Sequence, residues 1–343
     1  MEKKIASLHE NAFVIDAHFD LLMDVEIQRA RGRKKVIETD YLPGFKTSGI
    51  NLIVASIFIE SEFLPEMGLR KALAQIHSLY EEIDESSHHI MMCKTYEDVR
   101  KAKQENKIGF LLSLEGIEPI GHDLRLLRIF YELGVRIVGL VWSRRNYAAD
   151  GSHFTPVREG TKGGLTAFGI EVIEEAEKLG MFIDVSHLND EGVADVLKMA
   201  KKPVIASHSN ARALMPTMRN ISDEQIRQIA ATGGVIGINA ASMLVAEDDD
   251  KSNLEHLINH LDHMVKIVGA KHVGIGLDLC DMVMKYISPN DFGKFERIPF
   301  DVIKGHESFK EITKELIKRG YDDEAIECIL GNNFLRVYEE VLK

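Results

Sequence analysis

The sequence predicts an α/β chain folded as a single (β/α)8 barrel, with residues 1–343 forming one domain. Three observations lead there. Eight short apolar runs alternate with helix-like stretches, several of those stretches end at a glycine, and most of the apolar runs end in a residue able to do chemistry. Eight buried strands alternating with helices is the count of the closed barrel.

The runs are 13–20 (FVIDAHFD), 50–58 (INLIVASIF), 109–115 (GFLLSLE), 135–142 (VRIVGLVW), 181–187 (MFIDVSH), 203–208 (PVIASH), 235–239 (VIGIN) and 272–278 (HVGIGLD). Continuous apolar runs of this length suit strands buried on both faces. Gly134, Gly180, Gly233 and Gly269 stand just before four of them and read as helix C-caps. Ser222 with Gln225 forms a capping-box pattern, and Thr95 and Asn189 read as N-caps. Between the fourth and fifth runs, Ile170, Ile173, Ala176 and Leu179 fall on one predicted helix face. An open doubly wound sheet is the competing fold. It calls for a glycine-rich phosphate loop after the first strand, whereas the first run continues into HFDLLMD. The longest weakly patterned stretches, 24–49, 148–164 and 281–305, follow the first, fourth and eighth runs, where active-site loops sit in a barrel.

Composition narrows the function. Net charge is −12, from 42 basic and 54 acidic residues, which argues against a nucleic-acid partner. Cys93, Cys280 and Cys328 are scattered and form no Cys-x-x-Cys pair, so a disulfide framework is not expected and a reducing compartment fits. Residues 1–11 are polar and no apolar run reaches membrane-spanning length. The expectation is a cytoplasmic protein with no membrane partner.

Chemistry gathers at the ends of the runs. The first ends in His18-Phe19-Asp20, the third in Glu115, the fifth in His187, the sixth in His208 and the eighth in Asp278. Strand C-termini of a barrel converge on one mouth. Residues i and i+2 of a strand share a face, so His18 and Asp20 can grip one ion while Phe19 points into the packing layer. A buried Glu such as Glu115 needs a cation or several donors. Imidazole and carboxylate without thiolate suit zinc, with manganese, iron or cobalt as alternatives. The five groups His18, Asp20, Glu115, His187 and His208 exceed the usual three of one catalytic zinc, and they suit two ions sharing a carboxylate. His256, His260 and His263 also have helical ligand-like spacing, but no water-activating Glu accompanies them; they are expected to be surface or core residues.

These motifs, VIDAHFD, SLEGIEPI, FIDVSHLND, VIASHSNAR, MRNISDE, HVGIGLD and LGNNFLRVYE, resemble the renal (membrane) dipeptidase family over residues 13–338. That family comprises zinc metallopeptidases on an amidohydrolase-like barrel. The resemblance implies two Zn2+ per chain, with His18 and Asp20 on the first, His187 and His208 on the second and Glu115 bridging both. It implies that Asp278 handles the proton of a metal-bridging hydroxide, and that Arg219 binds the substrate's carboxylate, which suits a guanidinium. Small dipeptides, L-Xaa-D-Xaa included, are the implied substrates, and a homodimer the implied assembly.

Two positions depart from the family pattern. Trp142 stands where a His commonly contacts the substrate carbonyl; its indole offers one N–H and no charge near neutral pH. It would donate to the oxyanion or shape the pocket, with Arg144, Arg145 and His153 near enough to compensate. After the seventh run, Ala240 and Ala241 replace an aromatic that lines the site in some relatives. Arg144 and Arg145 would favour an acidic second residue, or else are solvated loop arginines. The rival readings are another metal-dependent amidohydrolase acting on an N-acyl amino acid, lactone or cyclic amide, and a non-catalytic metal-loaded peptide-binding barrel. Enzymes of the first kind usually carry His-x-His on the first strand and a modified Lys on the fourth, and neither is present.

Overall fold

The computed structural model describes residues 1–154, 157–286 and 297–342. Of the predicted loops, 148–164 and 281–305 fall partly outside the described residues. Its strands are β1 (Ile15–Phe19), β2 (Leu52–Ile57), β3 (Ile90–Met92), β4 (Ile108–Glu115), β5 (Val135–Gly139), β6 (Phe182–Asp184), β7 (Ile236–Ile238) and β8 (Val273–Ile275). All pair in parallel, in the order β1-β2-β4-β5-β6, with β7 beside β8. Segment 203–208 links the two sheets through single bridges, Asp184 to Ile205 and Ala206 to Ile236. The Asp278 amide donates to the His18 carbonyl at 3.1 Å and joins the end of the eighth stave to β1. The ring is therefore the predicted (β/α)8 barrel.

Alternate strand residues divide into two apolar layers, as the period of two requires. Ile15, Leu52, Val54, Leu111, Ile137 and Phe182 form one cluster with Phe334 and Tyr338 of the C-terminal helix Asn333–Val341. Ile53, Ala55, Leu112, Leu114 and Val138 belong to the other, which includes the surrounding helices. Gly134 and Gly180 close their helices in the left-handed conformation, and the Thr95 and Ser222 capping boxes form.

Four expectations need correction. Segment 203–208 is not a regular strand, because the Ser207 amide goes to Asp184 Oδ1 (3.0 Å) and the His208 amide to Ser186 Oγ (3.2 Å). The Ser207 carbonyl also lies where a Cβ at Gly237 or Gly276 would come within 2.0 or 1.9 Å of it, so only glycine fits at either position. Strand β3, absent from the predicted eight, pairs with the start of β4. Region 24–49 is largely helical, with helices Leu21–Ala30 and Leu42–Ser48 burying Leu22, Val25, Leu42 and Phe45. Finally, the helix Ala167–Leu179 buries Phe168, Val172, Ile173 and Ala176 and leaves Ile170 exposed.

Candidate active site

The structure brings His18, Asp20, Glu115, His187, His208 and Asp278 together at the C-terminal mouth of the barrel. Glu115 is the hub: its Oε1 lies 2.8 Å from His187 Nε2 and 3.6 Å from both His18 Nε2 and His208 Nε2. His18 Nε2 is also 3.6 Å from Asp20 Oδ1 and 3.8 Å from Asp278 Oδ1. His187 Nε2 and His208 Nε2 are 3.0 Å apart. Among the described residues at this mouth, His18, Glu115 and His208 have ligand atoms mutually within 4.8 Å, and so do His18, Asp20 and Asp278.

Local backbone shape produces this convergence. The β1–β2 register shifts between Asp16 and Phe19, so β1 is irregular where it delivers His18, and Asp20 stands at the N-cap of the next helix. Phe19 packs away from the mouth, edge-on to Tyr41 and His306. His187 and Asp278 have positive φ, 71° and 53°, a conformation few non-glycine residues hold and one that concentrates at functional sites.

Two buried carboxylates support the ligand groups from below. Asp184 accepts the amides of Ser186 (2.9 Å) and Ser207 (3.0 Å) on Oδ1, while its Oδ2 accepts the Ser207 hydroxyl. That hydroxyl has only one hydrogen, and Ser207 Oγ is 2.7 Å from His208 Nδ1. The imidazole must therefore donate from Nδ1, which leaves Nε2 as a bare lone pair facing Glu115. Asp16 does related work on the opposite side. Its Oδ1 accepts the amides of His18 (3.3 Å) and Leu277 (2.8 Å), and its Oδ2 pairs with His306 Nε2 at 2.7 Å. Asn239 donates to Asp278 Oδ2 at 2.7 Å.

Charge balance favours a cation here. Burial raises the pKa of Glu115, with Asp20 adding to the effect, and burial pushes Asp278 up to about 6. Burial pulls His18 down, but Glu115, Asp20 and Asp278 outweigh it and lift the ring to about 10. His187 and His208 are held well below the usual histidine range by burial and then by nearby positive charge. His18 Nε2 and Asp20 Oδ1 are buried without a hydrogen-bond partner. Converging imidazole nitrogens and buried carboxylates are the donor set of a borderline divalent metal, and they fit zinc.

Arg219 is fully buried and held below its ordinary pKa by burial, against the pull of Asp278 and Glu115. One of its nitrogens donates to the His208 carbonyl at 3.3 Å, while Nε and Nη1 are buried and unpartnered. Trp142 lies past the end of β5, its ring 5.8 Å from that of His187. Arg144 donates to Glu118 (2.8 Å) and to the Ile59 carbonyl (2.8 Å). Arg145 donates to Asp150 (3.0 Å) and to the Thr161 carbonyl (2.8 Å). Both guanidiniums thus have internal partners. His153 is 4.0 Å from Glu159, and Ala240 and Ala241 are buried.

Sequence reasoning passed over Asp16, Asp184, Ser207 and Asn239. The available signal was an Asp inside each of two apolar runs, IDAH and IDVSH, since a buried acid needs donors. It also passed over Phe58, which ends the second run and so carried the same positional signal as the ligand groups, and Phe154, for which the sequence carries none.

Known proteins resemble this chain over most of its length. The family model described as membrane dipeptidase (peptidase family M19) matches residues 2–343. Dipeptidase tcpJ of Claviceps purpurea is 28% identical over 282 residues, covering 82% of this chain and 62% of its own length. An uncharacterised protein of the pqqA 5′ region of Klebsiella pneumoniae is 30% identical over 271 residues, 78% of this chain and 94% of its own. The chain thus spans about three fifths of the fungal relative. A crystal structure of dipeptidase AC, a metallopeptidase of family M19, superposes with a TM-score of 0.83 at 27% identity over 96% of this chain and 99% of that one. A metallopeptidase from Rhodobacter sphaeroides, solved with a phosphinate mimic of L-Ala-D-Ala, gives 0.82 at 26% identity with the same coverage, 96% and 99%.

Proposed function

The chain belongs to the membrane dipeptidase family, peptidase family M19, and from that premise we propose that it hydrolyses small dipeptides, L-Xaa-D-Xaa among them, at a two-zinc centre. The observation that carries this reading is Glu115 Oε1 within 3.6 Å of three imidazole Nε2 atoms, beside a buried, unpartnered Asp20 Oδ1. His18, Asp20 and Glu115 would hold one ion, and Glu115, His187 and His208 the other. When bound, zinc supplies Lewis acidity toward the scissile carbonyl and lowers the pKa of water toward 7.

The chain's own groups do the rest. Asp278, oriented by Asn239, accepts a proton from the attacking water and passes it to the leaving amine. Arg219 turns Nε and Nη1 to the substrate carboxylate, a charge-assisted pairing that satisfies two buried donors. Trp142 and Arg144 shape the wall beside His187, and Arg145 braces the following segment through Asp150. The R. sphaeroides relative's L-Ala-D-Ala mimic supports a D-residue in second position. The same reading takes residues 1–343 as one catalytic domain, working as a homodimer in the cytoplasm without nucleic-acid or membrane partners. No helix among the described residues is long and apolar enough to cross a membrane.

The test is hydrolysis of a dipeptide library with L- and D-residues in second position, by zinc-loaded and chelated protein. Zinc-dependent cleavage of an L-D subset is expected. A chain that holds two zinc ions and cleaves no dipeptide overturns the reading in favour of another amide or ester, or of binding alone.

A further inference from the structure

Beside the ligand groups the mouth has an aromatic wall. Phe58 follows β2, Trp142 follows β5, and Phe154 lies in the segment beyond; all three are partly exposed. The Phe58 and Trp142 ring centroids are 5.2 Å apart, and those of Trp142 and Phe154 6.1 Å. The His187 ring is 6.3 Å from Phe154, and Arg219 Cζ is 6.0 Å from the same ring. One apolar strip therefore runs from Arg219, past His187, to Phe58.

Apart from Arg219, the carboxylate anchor at its end, the strip has beside it four basic groups that already face an acid. Arg144 lies over Trp142 (5.3 Å) and Phe58 (5.8 Å), but its charge is paired with Glu118. Arg145 is paired with Asp150, while Lys162 pairs with Glu159 at 2.9 Å and His153 lies 4.0 Å from the same Glu159. A carboxylate entering the strip would lose water and meet the electron-rich faces of aromatic rings. An apolar side chain would gain contact area there.

We propose that Phe58, Trp142 and Phe154 form the side-chain subsite for the second residue of the dipeptide, and that this subsite takes an apolar or aromatic side chain in preference to an acidic one. The proposal rests on the dipeptidase reading with Arg219 as carboxylate anchor. Carboxylate and side chain branch from one Cα, so a residue anchored at Arg219 carries its side chain to Phe154 and Trp142.

The experiment measures kcat and KM of the zinc-loaded enzyme on Ala-Xaa dipeptides, where Xaa is Ala, Leu, Phe, Asp or Lys in both configurations. Leu and Phe are expected to exceed Asp by about 10- to 100-fold in kcat/KM, the range a hydrophobic pocket delivers. In Trp142→Ala the Phe-over-Ala ratio should fall about tenfold, chiefly through KM, and Trp142→Phe should restore most of it. Zinc content of each variant, measured alongside, separates a reshaped wall from a damaged fold. Cleavage of Ala-Ala with Asp equal to or better than Leu and Phe overturns the subsite and leaves the dipeptidase reading standing. Cleavage of no dipeptide at all overturns both.

Discussion

Two groups of three histidines invite comparison: His18, His187 and His208 at the barrel mouth, and His256, His260 and His263 on the helix Leu254–Val268. Both have spacing a metal could use. On the helix every ring already has a partner. His260 accepts the Ala211 amide on Nδ1 (3.1 Å) and reaches the Val245 carbonyl from Nε2 (2.8 Å). His263 pairs with Asp223 at 2.7 Å, and His256 Nδ1 lies 3.0 Å from Asn253 Oδ1. At the mouth, the Nε2 atoms face Glu115 and one another. Burial depresses the pKa of His260, His187 and His208 alike. The distinction lies in convergence: each helix ring meets its own separate partner, whereas the mouth rings turn their Nε2 atoms onto one shared carboxylate and one another, leaving room for a cation.

The largest expected effect falls on the mouth. Asp278→Asn removes the proton-accepting carboxylate but keeps the contact with Asn239, and turnover should fall by about 10³-fold, within the usual range for a general base. Zinc content read on the same sample sharpens the assignment, because Asp278 also lies within ligand distance of His18 and Asp20. Two ions retained with turnover lost marks a proton carrier, and loss of one ion marks a ligand. Normal turnover would remove Asp278 from the chemistry altogether.

The next effect belongs to the helix and concerns acid stability. His260 has a folded pKa lowered to about 4 by burial, against an ordinary 6.5. Between those values the unfolded chain takes up a proton that the folded chain refuses. The stabilisation is complete above about pH 6.5 and is lost as pH falls toward 4, in total on the order of 3 kcal/mol. His260→Gln keeps a donor and an acceptor but does not titrate. Urea midpoints at pH 7, 5 and 4 should converge for the two proteins as pH falls. Parallel curves would place the acid lability elsewhere.

This contrast explains what was legible in the sequence. The C-terminal ends of barrel staves gather at one mouth, so the six mouth residues and the barrel could be read from the run ends, although the turns that aim His187 and Asp278 could not. Partnership across the chain could not. Nothing in 203–208 shows that Asp184 and Ser186 capture its amides and break the ladder. Nothing near Arg144 and Arg145 announces that Glu118, 26 residues before Arg144, takes the charge of one of them. The helical character of 24–49 was hidden for a different reason: its apolar residues serve two short helices separated by a non-helical link at 31–35, so no single period runs through the stretch.

The smallest of the three effects tests why a mouth histidine differs from a helix one. If Asp184 and Ser207 fix the His208 tautomer, Ser207→Ala deprives Nδ1–H of its acceptor and frees the ring to turn or to carry its proton on Nε2. Removing such an orienting partner typically costs 10- to 100-fold in metal affinity, about 1.4–2.8 kcal/mol. The loss should appear in chelator competition at one of the two ions, the one that His208 shares with His187, while the ion at His18 and Asp20 holds. Ser207→Thr retains the hydroxyl and should recover the affinity. Equal weakening of both ions would mean that Ser207 only supports the fold, as the partners of His260 do. No weakening would mean that the 3.0 Å approach of His187 and His208 is held by packing alone, since the rings of His18 and His208 stack at 3.7 Å and restrain His208 from the other side.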